Sequence, residues 1–252
     1  MDNLGEGYRY VNMILNKGQK SGYVSPAVFI DALRAAHEEL YVEARSYYQQ
    51  TSQLTDDAKA VIATIGDAGN GFPLVASASG MIAFPDDYRY YASMSYLKTV
   101  SGDQCGDGPK RTKIPVELLT EASWNTRIDS VLKGPEEKYP IACIRNNAFQ
   151  LAPTKTNWRY SLTYWKDVDS PYFDYVLSGG AIVYLPPGSV HDGTNPDPSI
   201  SSGDASRSID IVWPEPSRFY NKVLRLLSAN KRAEMPYQEG AIEMQKQQKE
   251  WL

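Results

Sequence analysis

Two histidines are the side chains of this sequence best suited to catalysis or metal binding near neutral pH. His37 falls one position past a predicted helical stripe that includes Leu33 and Ala36, and His191 lies in a segment rich in Pro and Gly. Neither has a second His or a Cys at the spacing of a zinc site. Both are therefore interpreted as solvated or helix-flanking histidines rather than as catalytic groups.

The two cysteines and the glycine clusters indicate little chemistry. Cys105 and Cys143 make no disulfide framework, and a bridge between them is disfavoured in a reducing cytosol. The sequence contains no GxSxG nucleophile elbow. The GEG at 5–7 and the GNG at 69–71 lack the Lys-Ser/Thr of a phosphate-binding loop. We interpret these glycines as turns.

Acidic residues occur as pairs and as single aspartates in glycine-rich loops. Asp56 and Asp57 begin a predicted helix, where carboxylates interact well with the helix dipole. Five loop aspartates lack the spacing of an EF-hand: Asp103, Asp107, Asp192, Asp197 and Asp204. A weakly bound Ca²⁺ or Mg²⁺ ion and acid–base catalysis by two carboxylates stay open, but the pattern favours neither. We expect no catalytic residue, no cofactor and no metal.

The composition is typical of a protein with a sizeable core. The 252 residues are 42% hydrophobic and 22% charged, and the net charge of −4 argues against a dedicated nucleic-acid binder. No apolar run is long enough to span a bilayer, and the acidic start MDNLGEG is unlike a signal peptide. We expect no membrane contact and a protein that is made and kept inside a cell.

Residues 1–66 are predicted to be helical. A short helix over 8–17 precedes Ser25, a good N-cap, and Pro26 at the first helical position. Apolar residues then recur at steps of three or four over five turns: Phe29, Leu33, Ala36, Leu40, Ala44 and Tyr47. A second stripe over 55–65 is the predicted partner of this helix.

Residues 67–212 are predicted to form a β-rich module. The segment 88–100 alternates, with Tyr88, Tyr90, Ala92, Met94 and Tyr96 on one face, and 158–165 alternates as cleanly. Asn146-Asn147 fits a two-residue hairpin turn. We expect one helix near 115–132 and mobile loops at 101–113 and 186–208.

Residues 213–252 return to helical patterns that we expect to pack with the N-terminal part. The predicted fold class is therefore α+β. Helices from both ends of the chain form an adaptor-like body, and a meander or sandwich-like β module lies between them.

Tyrosine is unusually frequent, with 18 residues, and its apolar ring and polar hydroxyl suit large interfaces as well as half-exposed sheet faces. A basic cluster in a predicted loop is suited either to solubility or to contact with an acidic surface. The candidate interface residues are Lys110, Arg111, Lys113, Tyr88, Tyr90, Trp158, Tyr160, Trp165 and His191.

Four segments, taken in order, resemble neck and head-to-tail connector proteins of crAss-like and related Bacteroidetes tailed phages. They are NKGQKSGYVSPAVFIDALRAAHEELYVEARSYYQ, FPDDYRYYASMS, SWNTRIDSVLKGPEEKYPIACIRNNAFQLAPTKTNWRYSLTYWKDVDSPYFDY and IDIVWPEPSRFYNKVLRLLSANKR. The resemblance covers most of 9–230, with 101–113 and 186–208 as the variable parts.

The resemblance implies a structural virion protein in the phage neck that forms a ring, usually twelvefold, and has no catalytic residues. The implied partners are further copies of the chain, the portal protein and other neck and tail ring proteins. Genomic DNA would pass through the ring without specific binding. An acidic chain suits such a channel because it does not hold the phosphate backbone.

Two other classes of function stay open from the residues alone. A virion-associated hydrolase would need polar groups that converge around His37, His191 or a carboxylate pair. A tail or receptor-binding module would favour a chain dominated by β structure, and the long N-terminal helix speaks against it.

Overall fold

The computed structural model describes residues 3–16, 24–66, 74–100, 110–154 and 158–229. In these residues the helices are α1 (Leu4–Asn16), α2 (Pro26–Thr51), α3 (Asp56–Val61), α4 (Glu121–Ile128) and α5 (216–229). The chain is mixed α+β and divides into two compact units. Unit 1 comprises 1–60 and 169–252, and unit 2 comprises 61–168. These limits differ from the expected 67–212 module because residues 61–66 belong to unit 2 and residues 169–212 belong to unit 1 with the helices.

The strands are β1 (Ile62–Ile65), β2 (Leu74–Val75), β3 (Met81–Ala83), β4 (Tyr88–Val100), β5 (Lys110–Pro115), β6 (Glu117–Leu119), β7 (Ile141–Arg145), β8 (Ala148–Ala152), β9 (Arg159–Lys166), β10 (Tyr175–Ser178) and β11 (Ala181–Tyr184). In unit 2, one sheet has the order β1-β9-β4-β5, with β2 also paired to β9, and the other has the order β3-β8-β7-β6. In unit 1, β10 and β11 form a two-stranded sheet of their own.

The two sheets of unit 2 share one hydrophobic core. Trp158, just before β9, and Tyr160, Leu162 and Tyr164 within β9 alternate toward this core, and β8 supplies Phe149 from the other sheet. Both sheets therefore contribute side chains to the same core of unit 2. Burial raises the pKa of Tyr160 and Tyr164 above the ordinary value, as expected for phenol hydroxyls placed in a hydrophobic core.

The prediction that Tyr88, Tyr90, Ala92, Met94 and Tyr96 share one face of β4 is wrong. The pairing of β4 with β9 has two irregularities, one between Tyr88 and Tyr90 and one between Tyr91 and Ser93. A bulge adds one residue and moves the following side chains to the other face. Tyr91 therefore packs on the core with Tyr88, Met94 and Tyr96, in place of Tyr90.

Three local predictions differ from the structure, and pairing explains each difference. The helix expected over 55–65 ends at Val61 because the β-branched run of β1 pairs with β9. The helix expected over 115–132 is α4 alone, since β6 pairs with β7 before Thr120 caps the helix. Part of the predicted loop 101–113 is strand β5, paired to β4, and residues 101–109 lie outside the described residues.

The Asn146-Asn147 turn is confirmed. Both residues have positive φ, 50° and 57°, and join β7 to β8 as a two-residue hairpin. Asn tolerates this left-handed conformation better than other residues with a side chain.

Unit 1 is built around α2, whose predicted start is confirmed: Ser25 is the N-cap and accepts a hydrogen bond from the Val28 N–H, and Pro26 opens the helix. The stripe from Phe29 to Ala44 is buried, whereas Tyr47 at its end is exposed. Phe29 packs against Tyr8 of α1 and Phe173, with ring centroids 5.0 and 5.4 Å away.

Gly5 and Gly7 lie inside α1, which corrects their interpretation as a turn, and they let the helix approach its neighbours closely; the GNG at 69–71 lies outside the described residues. A Cβ on Gly5 would lie 2.7 Å from the Tyr184 ring, and one on Gly7 only 2.0 Å from the Tyr220 ring. Asn12 of α1 is buried and accepts a hydrogen bond from the Val24 N–H at 2.8 Å, which ties α1 to the residues just before α2.

A row of ion pairs joins α5 to α2 and α3. The pairs are Arg218–Glu43, Arg218–Asp57, Lys222–Glu39, Lys222–Glu43 and Arg225–Glu39. Burial acts to raise the pKa of Glu43, but hydrogen bonds and charge from Lys222 and Arg218 outweigh it and lower that pKa. Pairs that reach solvent contribute about 1 kcal/mol or less each, so we regard the row chiefly as an orienting contact.

Candidate functional site

His37 is fully buried in unit 1, which corrects the prediction of a solvated or helix-flanking histidine. Its Nδ1 accepts a hydrogen bond from the Trp213 Nε1–H at 3.2 Å. An accepting Nδ1 carries no proton, so the ring is neutral in this arrangement. The contact places a polar link inside the core of unit 1.

His191 is also buried, with 1% of its surface exposed, so it is not a surface residue that a partner would reach. Its Nδ1 lies 2.9 Å from Asn195 Nδ2, and its Nε2 lies 3.1 Å from Asp174 Oδ2, although not at good hydrogen-bond angles. The Asn195 Oδ1 accepts from the Asp197 N–H, which leaves the NH₂ group to face the histidine. Nδ1 is therefore the acceptor, and Nε2 carries the proton toward the carboxylate.

This His–Asp arrangement organises the segment 186–208, which was predicted as a mobile loop. The segment has little regular structure, but the His191 N–H donates to Asp204 O and its carbonyl accepts from the Gly203 N–H. Asp174 also accepts from the Arg207 N–H at 2.8 Å. Since both ring nitrogens face protein groups and the ring is buried, the arrangement is structural rather than a base open to a substrate.

We expect His191→Ala to lower the free energy of local opening of 186–208 by about 2–3 kcal/mol. The reason is that the buried Asp174 carboxylate loses one partner but keeps its backbone donors. The measurement is native-state amide hydrogen exchange, with faster exchange expected at the backbone amides of position 191 and of Gly203 than in the original chain. Asp192→Ala, at the exposed neighbouring position, is the matched control and should leave both rates unchanged. Equal rates in the two variants would show that the histidine does not hold the segment.

Most aromatic residues in the predicted interface set lie inside the chain. Trp158, Tyr160 and Trp165 are all buried, and Tyr88 stacks on Phe84 with ring centroids 4.1 Å apart. Their rings fill the interior of the chain rather than face a partner. Tyr90 is half-buried, beside the Arg89 guanidinium.

The basic cluster lies on an edge strand. Residues 110 and 111 pair through their backbones with β4, Lys113 is exposed, and β5 is the last strand of its sheet. Lysine on an edge strand protects a sheet from pairing with other chains. Contact of this cluster with an acidic surface stays a prediction.

A groove of about 770 Å³ lies in unit 1 between α1 and the β10–β11 hairpin, and sequence reasoning missed it. Side chains from both walls and from its floor line it, among them Arg9, Met13, Asn16, Phe173, Ile182 and Tyr184. The local signals were the adjacent glycines Gly179 and Gly180 and the GEG at 5–7, which was interpreted as a turn.

A second missed feature is an apolar corner after α4 in unit 2. Val131 and Leu132 are 99% and 95% exposed. The helix expected over 115–132 would have continued through both residues, but α4 ends at Ile128 and leaves their side chains in solvent. Two adjacent bare aliphatic side chains are a small patch of the kind that marks protein contacts.

Among the described residues, no three His, Cys, Asp or Glu side chains are grouped to hold a metal ion. Asp197 and Asp204 accept hydrogen bonds within their own segment, from Ser199 and Ser201. Asp103, Asp107 and Cys105 lie outside the described residues, and Cys143 is buried. In the part of the chain described, no helix combines the length and apolarity of a membrane span.

The chain was compared with protein-family models and with curated proteins, and neither comparison finds a match.

Proposed function

We propose that the chain is a structural subunit of a ring in the neck of a crAss-like tailed phage, where it connects the portal to the tail around the DNA channel. The ordered sequence resemblance over most of 9–230 supports this proposal. So does the α+β organisation, in which α1 and α2 from the start of the chain lie in one unit with α5 from near its end.

The observation that carries the proposal is the exposed apolar corner of Val131 and Leu132. Leaving two large aliphatic side chains in water costs on the order of 1.5–3 kcal/mol each relative to burial. A ring subunit needs such surfaces because it contacts two neighbours through different faces. The same proposal includes an adaptor-like body made of helices, and a channel in which DNA passes along an acidic chain.

The test is assembly of the purified chain with the portal protein of its phage. We expect mass photometry and negative-stain microscopy to show a closed ring of many copies bound to the portal. A homogeneous monomer of about 28 kDa in the presence of the portal protein would contradict the proposal.

The role of the corner is tested by Val131→Ser together with Leu132→Ser. The double variant should fold as the original does but assemble at least about tenfold less tightly, as expected for the loss of a small apolar contact. Lys133→Ser, an exposed neighbour without an apolar side chain, is the matched control and should assemble normally. Full assembly of the double variant would exclude this corner as a subunit contact.

A further inference from the structure

The β10–β11 hairpin has one outward-facing edge whose hydrogen-bonding groups can be assigned from its register. Ser178 pairs with Ala181 across the Gly179-Gly180 turn, and Val176 pairs with Val183. In a two-residue hairpin the residues that flank the turn exchange hydrogen bonds, and every second pair does the same. The backbone groups of Ala181 and Val183 therefore point toward β10.

Two further hydrogen bonds support this assignment. The Leu185 N–H donates to Asp174 O at 3.0 Å, which continues the hydrogen-bonded pairs toward the base of the hairpin. The Leu177 N–H points away from β11 and donates to Thr194 O at 2.8 Å, so a neighbouring segment covers the outer edge of β10. The outer edge of β11 must then present the N–H and C=O groups of Ile182 and Tyr184.

That outer edge faces the groove. Residues of β11 line the groove and residues of β10 do not, while α1 forms the opposite wall. Among the described residues, no backbone partner is found for the amide of Ile182. An unpaired strand edge beside a helix is a template for an added strand.

The side chains that line the groove indicate which kind of segment can bind there. Its floor and hairpin side contain Phe173, Tyr184 and Ile182, which offer apolar contact to every second side chain of an added strand. Arg9 on α1 is the only charged residue that lines the groove in the described part of the chain. A carboxylate on the occupant would complement that charge.

We propose that this groove binds an extended segment of a partner protein, added as a strand to β11. α1 spans Gly5 to Asn16 along the groove, about 17 Å at 1.5 Å per residue, which matches roughly five extended residues at 3.3 Å each. The segment is apolar at alternate positions and carries one acidic side chain that reaches Arg9. The strand-addition proposal does not depend on whether the partner is a neck protein.

The experiment selects binders to the full chain from a random seven-residue peptide library displayed on yeast. We expect enrichment of sequences with alternating apolar residues and one Asp or Glu. With a selected peptide bound, the Ile182 and Tyr184 amides should exchange more slowly by NMR. The Ala181 and Val183 amides should already be slow in the free chain, because they pair with β10.

Three variants separate strand addition from simple apolar contact. Ile182→Pro removes the outward N–H but no hairpin bond, and should weaken the selected peptide at least about tenfold. Ile182→Thr keeps the N–H and should bind within about threefold of the original. Arg9→Glu should enrich Lys or Arg in place of the acidic residue.

The proposal is overturned if no alternating sequence is enriched or if Ile182→Pro and Ile182→Thr bind equally well. Protection of the Ile182 amide in the free chain would also overturn it, because the chain's own residues would then already occupy the edge. If Ile182→Pro does not fold, the exchange measurement on the original chain decides alone. Ring assembly with portal is a separate measurement, so the two proposals fail independently.

Discussion

Replacing Leu40 by Asp should leave no folded protein at 25 °C. Leu40 lies in the middle of the buried stripe of α2 and is 2% exposed. The change removes a core leucine, which costs about 2–5 kcal/mol, and buries a carboxylate for which the apolar site offers no partner, which costs several more. Together these costs reach the range of 5–15 kcal/mol by which domains are typically stable, so we expect them to remove most or all of the free energy of unfolding.

The matched control for this variant is Val42→Asp, two residues further along the same helix. Val42 is 59% exposed, so the same new charge stays in water and should change the free energy of unfolding by no more than about 0.5 kcal/mol. Circular dichroism and urea unfolding report both variants. A soluble, cooperatively folding Leu40→Asp chain would show that the stripe is not the core of unit 1.

Replacing Gly7 by Ala should destabilise unit 1 by about 3 kcal/mol, although alanine is the better helix former. In an exposed helix the exchange would gain about 1 kcal/mol. Here the new methyl group would lie 2.0 Å from a ring carbon of Tyr220, a residue with no exposed surface. Because the ring is fully buried, it can move only by displacing its own neighbours, and we expect the overlap to outweigh the gain in helix propensity.

A double-mutant cycle with Tyr220→Ala tests this explanation. Removing the ring creates a cavity that the alanine methyl group partly fills, so the double variant should be less destabilised than the sum of the two single variants. We expect a coupling of about 1–3 kcal/mol from urea unfolding. Additive effects would mean that the glycine is needed for another reason, such as the backbone path of α1.

The groove between α1 and the β10–β11 hairpin could not be predicted from the sequence, because it depends on which edge of the hairpin is covered. Strands β10 and β11 flank the Gly179-Gly180 turn and lie within the region 67–212 that was expected to be β-rich. Which edge of the hairpin is covered depends on Thr194, which lies in a segment without periodicity. No local pattern encodes that contact, so the groove beside α1 became visible only in three dimensions.

The burial of the two histidines also depends on distant residues and could not be predicted from the local sequence. His37 directly follows a helical stripe, and a helix alone does not indicate how wide its buried face is. Trp213, 176 residues away, covers this edge of the stripe and turns the histidine into a hydrogen-bonded core residue. His191 is buried because Asp174 and Asn195 meet it, and only one of these is near it in sequence.

The sequence by itself determined the features that depend on short-range geometry. These are the start and stripe of α2, the Asn146-Asn147 hairpin, the alternation of β9 and the mixed α+β class. Each arises from hydrogen bonding and side-chain spacing within a few residues. The tertiary structure decided which faces are covered: β9 lies between β1 and β4, strands far from it in sequence, so its aromatic residues became core rather than interface. The same long-range packing left Val131, Leu132 and the outer edge of β11 bare, because burial depends on the whole set of partners and not on the local pattern.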